Sequence, residues 1–445
     1  MKKQVLNKYL LFGAALLICL LLTSPVLSFA SRHSVPFATG IPVTIVFSIA
    51  TALLFFGIGE KENPLSVFPY TAVLVLLGLT LFTRVSLLPH VTDDFSDYLN
   101  VWMQYMLELP GAESLAVEIA NYNMPYLYLL FGIAKLVPYA FFMFSLKTFS
   151  VLFDFILAYY VMKLVSLLKE NRMTQIASFF AVLLVPSVIV NSAMWGQCDS
   201  VFSAFALGGL YYGLKKKSLL CWTFFALALS FKLQTVFLIP MLIVFLFRKD
   251  IRLRDIWVFA AVFVGLLVPA MIAGRSPLSC ISVYWNQANS YSELSMLAPN
   301  VFAWLPQGTK SNIPVTAAGI FIAGSVVLGF LLYLYWRKDW LNTADMVRAS
   351  LIFAVMIPFF LPLMHDRYFY LADTVSVVFL INEPKRWYIP ALICMASFLC
   401  HAAYLFDAVV IPTYVLAFFI LTALSLLALN FVLDTESRIK LPASR

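Results

Sequence analysis

The feature that most constrains this chain is the recurrence of apolar stretches separated by short polar breaks. Many run to about 17–25 residues, and a helix of that length crosses a hydrocarbon core about 30 Å thick. Such stretches lie near residues 9–30, 41–58, 67–88, 146–168, 174–193, 199–214, 218–231, 233–247, 256–273, 313–335, 346–363, 366–382, 386–404 and 409–432. A soluble chain carries about 25% charged residues. Here 12% are charged and 62% hydrophobic, with mean hydropathy +0.91. The expectation is an all-α, polytopic membrane protein of about 14 transmembrane helices in one domain over 1–445. Within it, 1–88 would form N-terminal helices, 89–145 an external loop, and 146–445 the remaining bundle.

The net charge of +8 reads as topology rather than nucleic-acid binding. Lys2/Lys3, Lys61, Lys169/Arg172, residues 215–217, Arg248/Lys249/Arg252/Arg254, Arg337/Lys338, Lys385/Arg386 and Arg438/Lys440 all fall between apolar segments. With the spans above they share one side, which the positive-inside bias makes cytoplasmic, and both termini join them. The expected location is a plasma membrane. The apolar run after Lys3 is long for a signal peptide, so it reads as an uncleaved first helix. Six scattered Cys show neither CxxC nor Cys/His spacing, so neither a zinc site nor a disulfide framework is indicated.

One apolar segment, 126–144, breaks the alternation. A crossing there would move Lys169 and residues 215–217 outside, and Pro125 and Pro138 punctuate it. It reads as an external re-entrant or interfacial segment.

Just before it lies the chain's densest run of acids. Asp93, Asp94 and Asp97 fall within five residues, and no Lys or Arg occurs between Arg84 and Lys135. As a helix over 95–107, this stretch puts Asp94, Asp97, Tyr98, Val101, Trp102 and Tyr105 on one face, suited to an interface. Asp94 and Asp97 have the spacing of a helix N-terminus, a purely structural role. A carboxylate there also suits a general base on a hydroxyl. Three further polar stretches face the same side: Trp195-Gly196-Gln197-Cys198-Asp199, Lys232-Leu233-Gln234 and His365-Asp366-Arg367-Tyr368. Asp199 suits a helix cap and Trp195 an interfacial anchor. A Lys in apolar sequence costs about 2.5–3.5 kcal/mol at mid-membrane, so Lys232 reads either as snorkelling or as binding phosphate. His365 and Arg367 side by side suit a phosphate too, or a salt-bridged turn through Asp366. Asp154 and Asp373, isolated in apolar spans, read as buried pairs within the bundle.

Thr92-Asp93-Asp94-Phe95-Ser96-Asp97-Tyr98 with Trp102, then Asn121-Tyr122-Asn123-Met124-Pro125-Tyr126, resembles the first external loop of GT-C glycosyltransferases. Bacterial relatives of the GPI-anchor mannosyltransferases are the nearest likeness. Lys147-Thr148-Phe149-Ser150-Val151-Leu152-Phe153-Asp154, the Trp195 and Lys232 stretches, Pro299-Asn300-Val301-Phe302-Ala303-Trp304 and the His365 stretch follow in the family's order. The resemblance covers roughly 85–380. It implies an inverting hexosyl transfer, mannosyl above all, from a polyprenyl-phosphate sugar to a glycan or lipid-linked acceptor on the outer membrane face. Asp94 takes the place of the catalytic base, with Asp93 and Asp97 as alternates. Lys232, His365 and Arg367 take the donor phosphate. Trp102, Tyr122, Tyr126, Trp195, Gln197, Asp199, Gln234, Asp366 and Tyr368 would contact substrate. The family's usual Tyr-Pro-Pro-Leu is here Tyr122-Asn123-Met124-Pro125.

The family divides on metal use. The three acids offer oxygen ligands for Mg²⁺ or Mn²⁺, but the expectation here is a reaction without a resident metal. The rival readings are a flippase or transporter of lipid-linked saccharides, which would show paired repeats and broken helices, and a polysaccharide polymerase or ligase.

Overall fold

The computed structural model describes residues 67–289 and 292–440; the expected spans 9–30 and 41–58, the basic residues at 2, 3 and 61, and both termini lie outside them. Within the described residues the chain is mostly helical, with almost no strand. We number α1 Val67–Leu87, α2 Asn100–Glu108, α3 Met124–Leu136, α4 Phe142–Ser166, α5 Arg172–Leu183, α6 Asp199–Leu214, α7 Ser218–Phe231 and α8 Pro240–Phe247. After three shorter helices come α9 Ile313–Arg337, α10 Thr343–Phe360, α11 Tyr370–Asn382, α12 Tyr388–Leu405 and α13 Thr413–Lys440.

Among the described residues, five helices are long and apolar enough to cross a membrane: Tyr139–Ser166, Ile313–Arg337, Thr343–Phe360, Tyr388–Leu405 and Thr413–Ile439. A bent pair, Arg172–Leu183 with Pro186–Trp195, makes a sixth if it counts as one span. Most of the other expected spans are occupied by shorter helices. The stretch 233–247, for example, is a 3-10 turn and the eight-residue α8, and 256–273 is two short helices.

The stretch expected as one span at 174–193 bends by 59°. Pro186 lies at the bend, where it cannot donate to the turn before it. Arg84 compensates, because its Nη2 donates to the Leu183 carbonyl at 3.1 Å. Its Nε meets Asp154 Oδ2 at 2.8 Å, and Ser192 Oγ donates to the same oxygen at 2.5 Å. Asp154 is thus paired inside the bundle, as its isolation implied. Asp373 instead takes the hydroxyls of Ser187 at 2.5 Å and Ser397 at 2.7 Å.

Close packing follows from small residues. A Cβ at Gly209 would lie 2.6 Å from the Phe225 ring, and one at Gly213 would lie 2.3 Å from Phe245. This GxxxG spacing lets α6 press against α7 and α8, the usual device where lipid supplies no hydrophobic drive between helices.

Basic residues from different helix ends meet at one end of the described residues, where Lys216 and Arg248 both pair with Asp250. There Arg348 and Arg386 both meet Asp434 at 2.7 Å, and Arg438 meets Asp345 at 2.8 Å. Arg248 donates to the carbonyls of Lys338 and Leu341. The polar motifs collect at the other end. The 126–144 segment is the 13-residue α3 followed by a turn, too short to span alone, and it packs on α2.

Candidate active site at the non-basic end

Two π-helical turns build the centre. One is Asp94–Leu99, leading into α2; the other is Val190–Trp195, ending the bent pair. Such turns add a residue to a helix and re-aim its side chains, often at functional sites. Phe95, Leu99, Met103 and Met106 bury one face of the first helix. Tyr98, Val101 and Tyr105 stay exposed on the other, as an interfacial helix requires. Asp93 and Asp97 are exposed with that outer face. Asp93 precedes the turn but makes no side-chain capping bond. Of the three acids, only Asp94 turns inward to the other motifs.

The Asp94 carboxylate is crowded with donors. Oδ2 accepts from Trp195 Nε1 and Gln197 Nε2, each at 2.8 Å. Arg367 Nη1 lies 3.6 Å from the same oxygen. Oδ1 accepts from the Tyr404 hydroxyl at 2.8 Å. Gly196 makes the two-residue approach possible, since its φ of +78° is left-handed and ends the π turn. A Cβ there would lie 3.2 Å from Lys147 Cγ.

A second carboxylate sits behind the first. Asp199 Oδ1 is ion-paired with buried Lys232, and Oδ2 accepts from Asn191 Nδ2 at 2.9 Å. Arg367 Nε lies 3.9 Å from Oδ2, and the guanidinium stands 5.0 Å from the Trp195 ring centre. Lys232 therefore does not snorkel to solvent; its charge is neutralised within the bundle. Arg367 bridges the two acids.

Gln197 passes the network outward by accepting from the Tyr122 hydroxyl at 3.1 Å. Burial, with Cys198 alongside, pushes the Tyr122 phenol well above its ordinary value, which keeps it a donor. Its ring centre is 4.6 Å from Tyr126 and 5.7 Å from Trp102, so three expected contact residues form one aromatic row.

The 365–368 turn is pinned from below. Met364–His365 pairs in parallel with Ser295–Met296, and the Asp366 amide donates to the Met296 carbonyl at 3.0 Å. Asn300 ties the adjoining loop to the end of α10 through the Leu361 carbonyl at 3.1 Å. Burial holds the His365 imidazole below its usual value, although Asp366 lies 3.7 Å away. Tyr368 packs on His365 and on Phe237, at 5.4 and 6.2 Å between ring centres.

A cleft opens beside this centre. Lys232 and Arg367 lie along it with Gln234, whose Oε1 has no protein hydrogen-bond donor, and Phe237, Leu361 and Ile320 supply apolar wall. Sequence reasoning missed Tyr404 and its neighbour His401, which stands edge-on to Trp195 at 5.9 Å. The usable signal was a His within an apolar span, which is costly there. Among the described residues no group of three or more His, Cys, Asp or Glu is placed to hold a metal. With Asp93 and Asp97 turned outward, the acidic loop does not fit an Mg²⁺ or Mn²⁺ site.

No known protein-family model matches the chain, and no curated protein matches it either.

Proposed function

We propose that this protein is an integral-membrane, inverting glycosyltransferase of the GT-C type, with about 14 spans, moving a hexose, mannose in the first instance, from a polyprenyl-phosphate sugar to a glycan or lipid-linked acceptor. The observation that carries this reading is Asp94: a carboxylate held by Trp195, Gln197, Tyr404 and Arg367, next to a cleft with two cations and apolar walls.

A hexosyl prenyl phosphate has a good leaving group, so the protein has two tasks. Asp94 takes the proton of the acceptor hydroxyl as its oxygen bonds to C1. Arg367 and Lys232 then meet the charge that appears on phosphate as the C1–O bond breaks. Asp199 holds the Lys232 side chain in place until a phosphate arrives. Phe237, Leu361 and Ile320 suit the prenyl chain, and Gln234 Oε1 suits a sugar hydroxyl. The site would face outward, because the basic clusters lie at the opposite end.

The flippase reading has one observation in its favour, the broken helix whose second half ends at Trp195. The test is release of polyprenyl phosphate from a panel of polyprenyl-phosphate hexoses by the purified chain in nanodiscs. Asp94→Asn should abolish release with donor binding near normal, and Arg367→Ala should weaken donor binding. Full activity in both variants would remove this site assignment, and saturable binding without release would favour transport.

A further inference from the structure

A second and roomier cleft lies on the other side of the 365–368 turn. Leu294, Ser295 and Leu297 form its floor, and these residues bond or pair with Leu363, Met364 and His365, so the two clefts stand back to back. Trp304 and Tyr414 wall it, joined by a hydrogen bond of 3.0 Å from the indole to the Tyr414 carbonyl. The far wall, at Val409, lies five residues beyond Tyr404 on the loop leaving α12.

That placement matters for the two oxygens of Asp94. Oδ2 faces Trp195, Gln197 and Arg367, on the side of the first cleft. Oδ1 accepts from Tyr404, five residues before Val409 in the wall of the second cleft. Inverting displacement needs the acceptor oxygen to enter opposite the departing phosphate, so two substrates must approach from two sides.

The lining also says what kind of acceptor fits. Among the described residues, none that lines this cleft is charged. At its rim Lys310 is already neutralised by Glu293 at 3.2 Å, and the loop beside Val409 carries the exposed Asp407. An anionic headgroup finds no cation here. Val409 and Tyr414 line the cleft as exposed apolar side chains, and Val410 and Phe418 near them in sequence are exposed too, a surface that lipid would cover. Trp304 and Tyr414 offer aromatic surface and Gln307 and Thr309 polar groups, the mixture that suits a sugar ring on an apolar tail.

We propose that this cleft seats a lipid with an uncharged sugar headgroup, and that this glycolipid is the acceptor. The inference rests on the glycosyltransferase reading and narrows its acceptor. The sugar hydroxyl gives its proton to Asp94 Oδ1, its oxygen bonds to C1 of the donor hexose, and polyprenyl phosphate departs on the Arg367 side.

The test measures binding apart from turnover, on the full chain in phosphatidylcholine nanodiscs. The probes are a fluorescent monohexosyl diacylglycerol and a fluorescent phosphatidylglycerol. The wild type should bind the neutral glycolipid saturably and at least about tenfold more tightly than phosphatidylglycerol. Val409→Trp, which fills the mouth, should weaken glycolipid binding about tenfold while polyprenyl-phosphate binding holds. Gln307→Arg, which places a cation at the rim, should raise the relative affinity for phosphatidylglycerol; it also serves if Val409→Trp fails to fold. Equal binding of the two lipids by the wild type, or glycolipid binding indifferent to both substitutions, overturns the proposal. Glycolipid binding that depends on Val409, with no hexose transferred from any polyprenyl-phosphate donor, leaves the cleft assigned and overturns the transferase reading instead.

Discussion

Asp94 accepts the Trp195 indole N–H at 2.8 Å, across 101 residues of chain. Each residue stands on a π-helical turn, so the contact joins two local departures from regular helix. Neither turn would aim its side chain at the other if it were α-helical, because one residue fewer rotates the side chain by about 100°. Geometry, then, selects Asp94 among three neighbouring acids.

The indole bond makes a graded test of that geometry. Trp195→Phe keeps the ring beneath Arg367 and beside Tyr404, where the indole now stacks at 4.8 Å, but removes the donor. Gln197, Tyr404 and Arg367 still hold the carboxylate. Turnover should fall about tenfold, well short of the loss in Asp94→Asn, which removes a base worth about 10²–10⁴. Steady-state release of polyprenyl phosphate measures both. Equal losses in the two variants would mean that Trp195 acts on the fold rather than on Asp94.

Much of this was legible in the chain. Alternating apolar spans and clustered Lys and Arg placed the basic residues at one end, since charge and hydropathy act locally. The motifs in order name most of the residues that meet around Asp94. What the sequence hid depends on contacts between distant elements. In sequence Lys232 suits either a snorkelling residue or a phosphate ligand; its partner Asp199, 33 residues away, is a tertiary contact. Tyr404 sits in an apolar span with no motif around it. The span at 174–193 read as one helix, because Pro186 costs one hydrogen bond in an otherwise apolar run and the buried Arg84 that offsets it lies 99 residues from the carbonyl it serves.

Lys147 acts on both halves of the site without touching substrate. Its buried Nζ donates to the carbonyls of Leu88 and His90, at the start of the acidic loop. Its aliphatic stem packs where Gly196 turns between Trp195 and Gln197. Lys147→Met keeps the stem and frees the loop. Since a misplacement of about 1 Å costs about 10²-fold in rate, kcat should fall 10- to 100-fold with donor binding within about threefold of wild type. Parallel losses in kcat and donor affinity would show a general collapse instead.

Arg84 and Asp154 give a prediction on stability. Both are buried, and their ion pair of 2.8 Å ties α1 to α4 beneath the bend. Arg84→Met strands the carboxylate, and breaking such a pair costs about 3–5 kcal/mol. Arg84→Met with Asp154→Leu removes the uncompensated charge and should recover much of that loss. Thermal unfolding in detergent compares the three proteins. A double variant no more stable than Arg84→Met would mean that the Leu183 carbonyl, not the ion pair, is what Arg84 secures.

His365 sets the acid side of the site's pH dependence. Burial lowers its pKa below the ordinary value, with Arg367 and Lys232 adding to that and Asp366 opposing it. An imidazole below about 6.5 in the fold, and near 6.5 when unfolded, binds its proton more readily in the unfolded chain. The neutral form therefore contributes fully above about pH 6.5, and stability drains as pH falls below it. Protonation would also place a third cation beside Arg367 and Lys232, so donor binding and unfolding should respond in opposite senses. Between pH 8 and 5 the melting temperature of wild type should fall faster than that of His365→Gln, while donor affinity rises in wild type alone. Melting curves that stay parallel across the range would show that His365 keeps its ordinary proton affinity in the folded site.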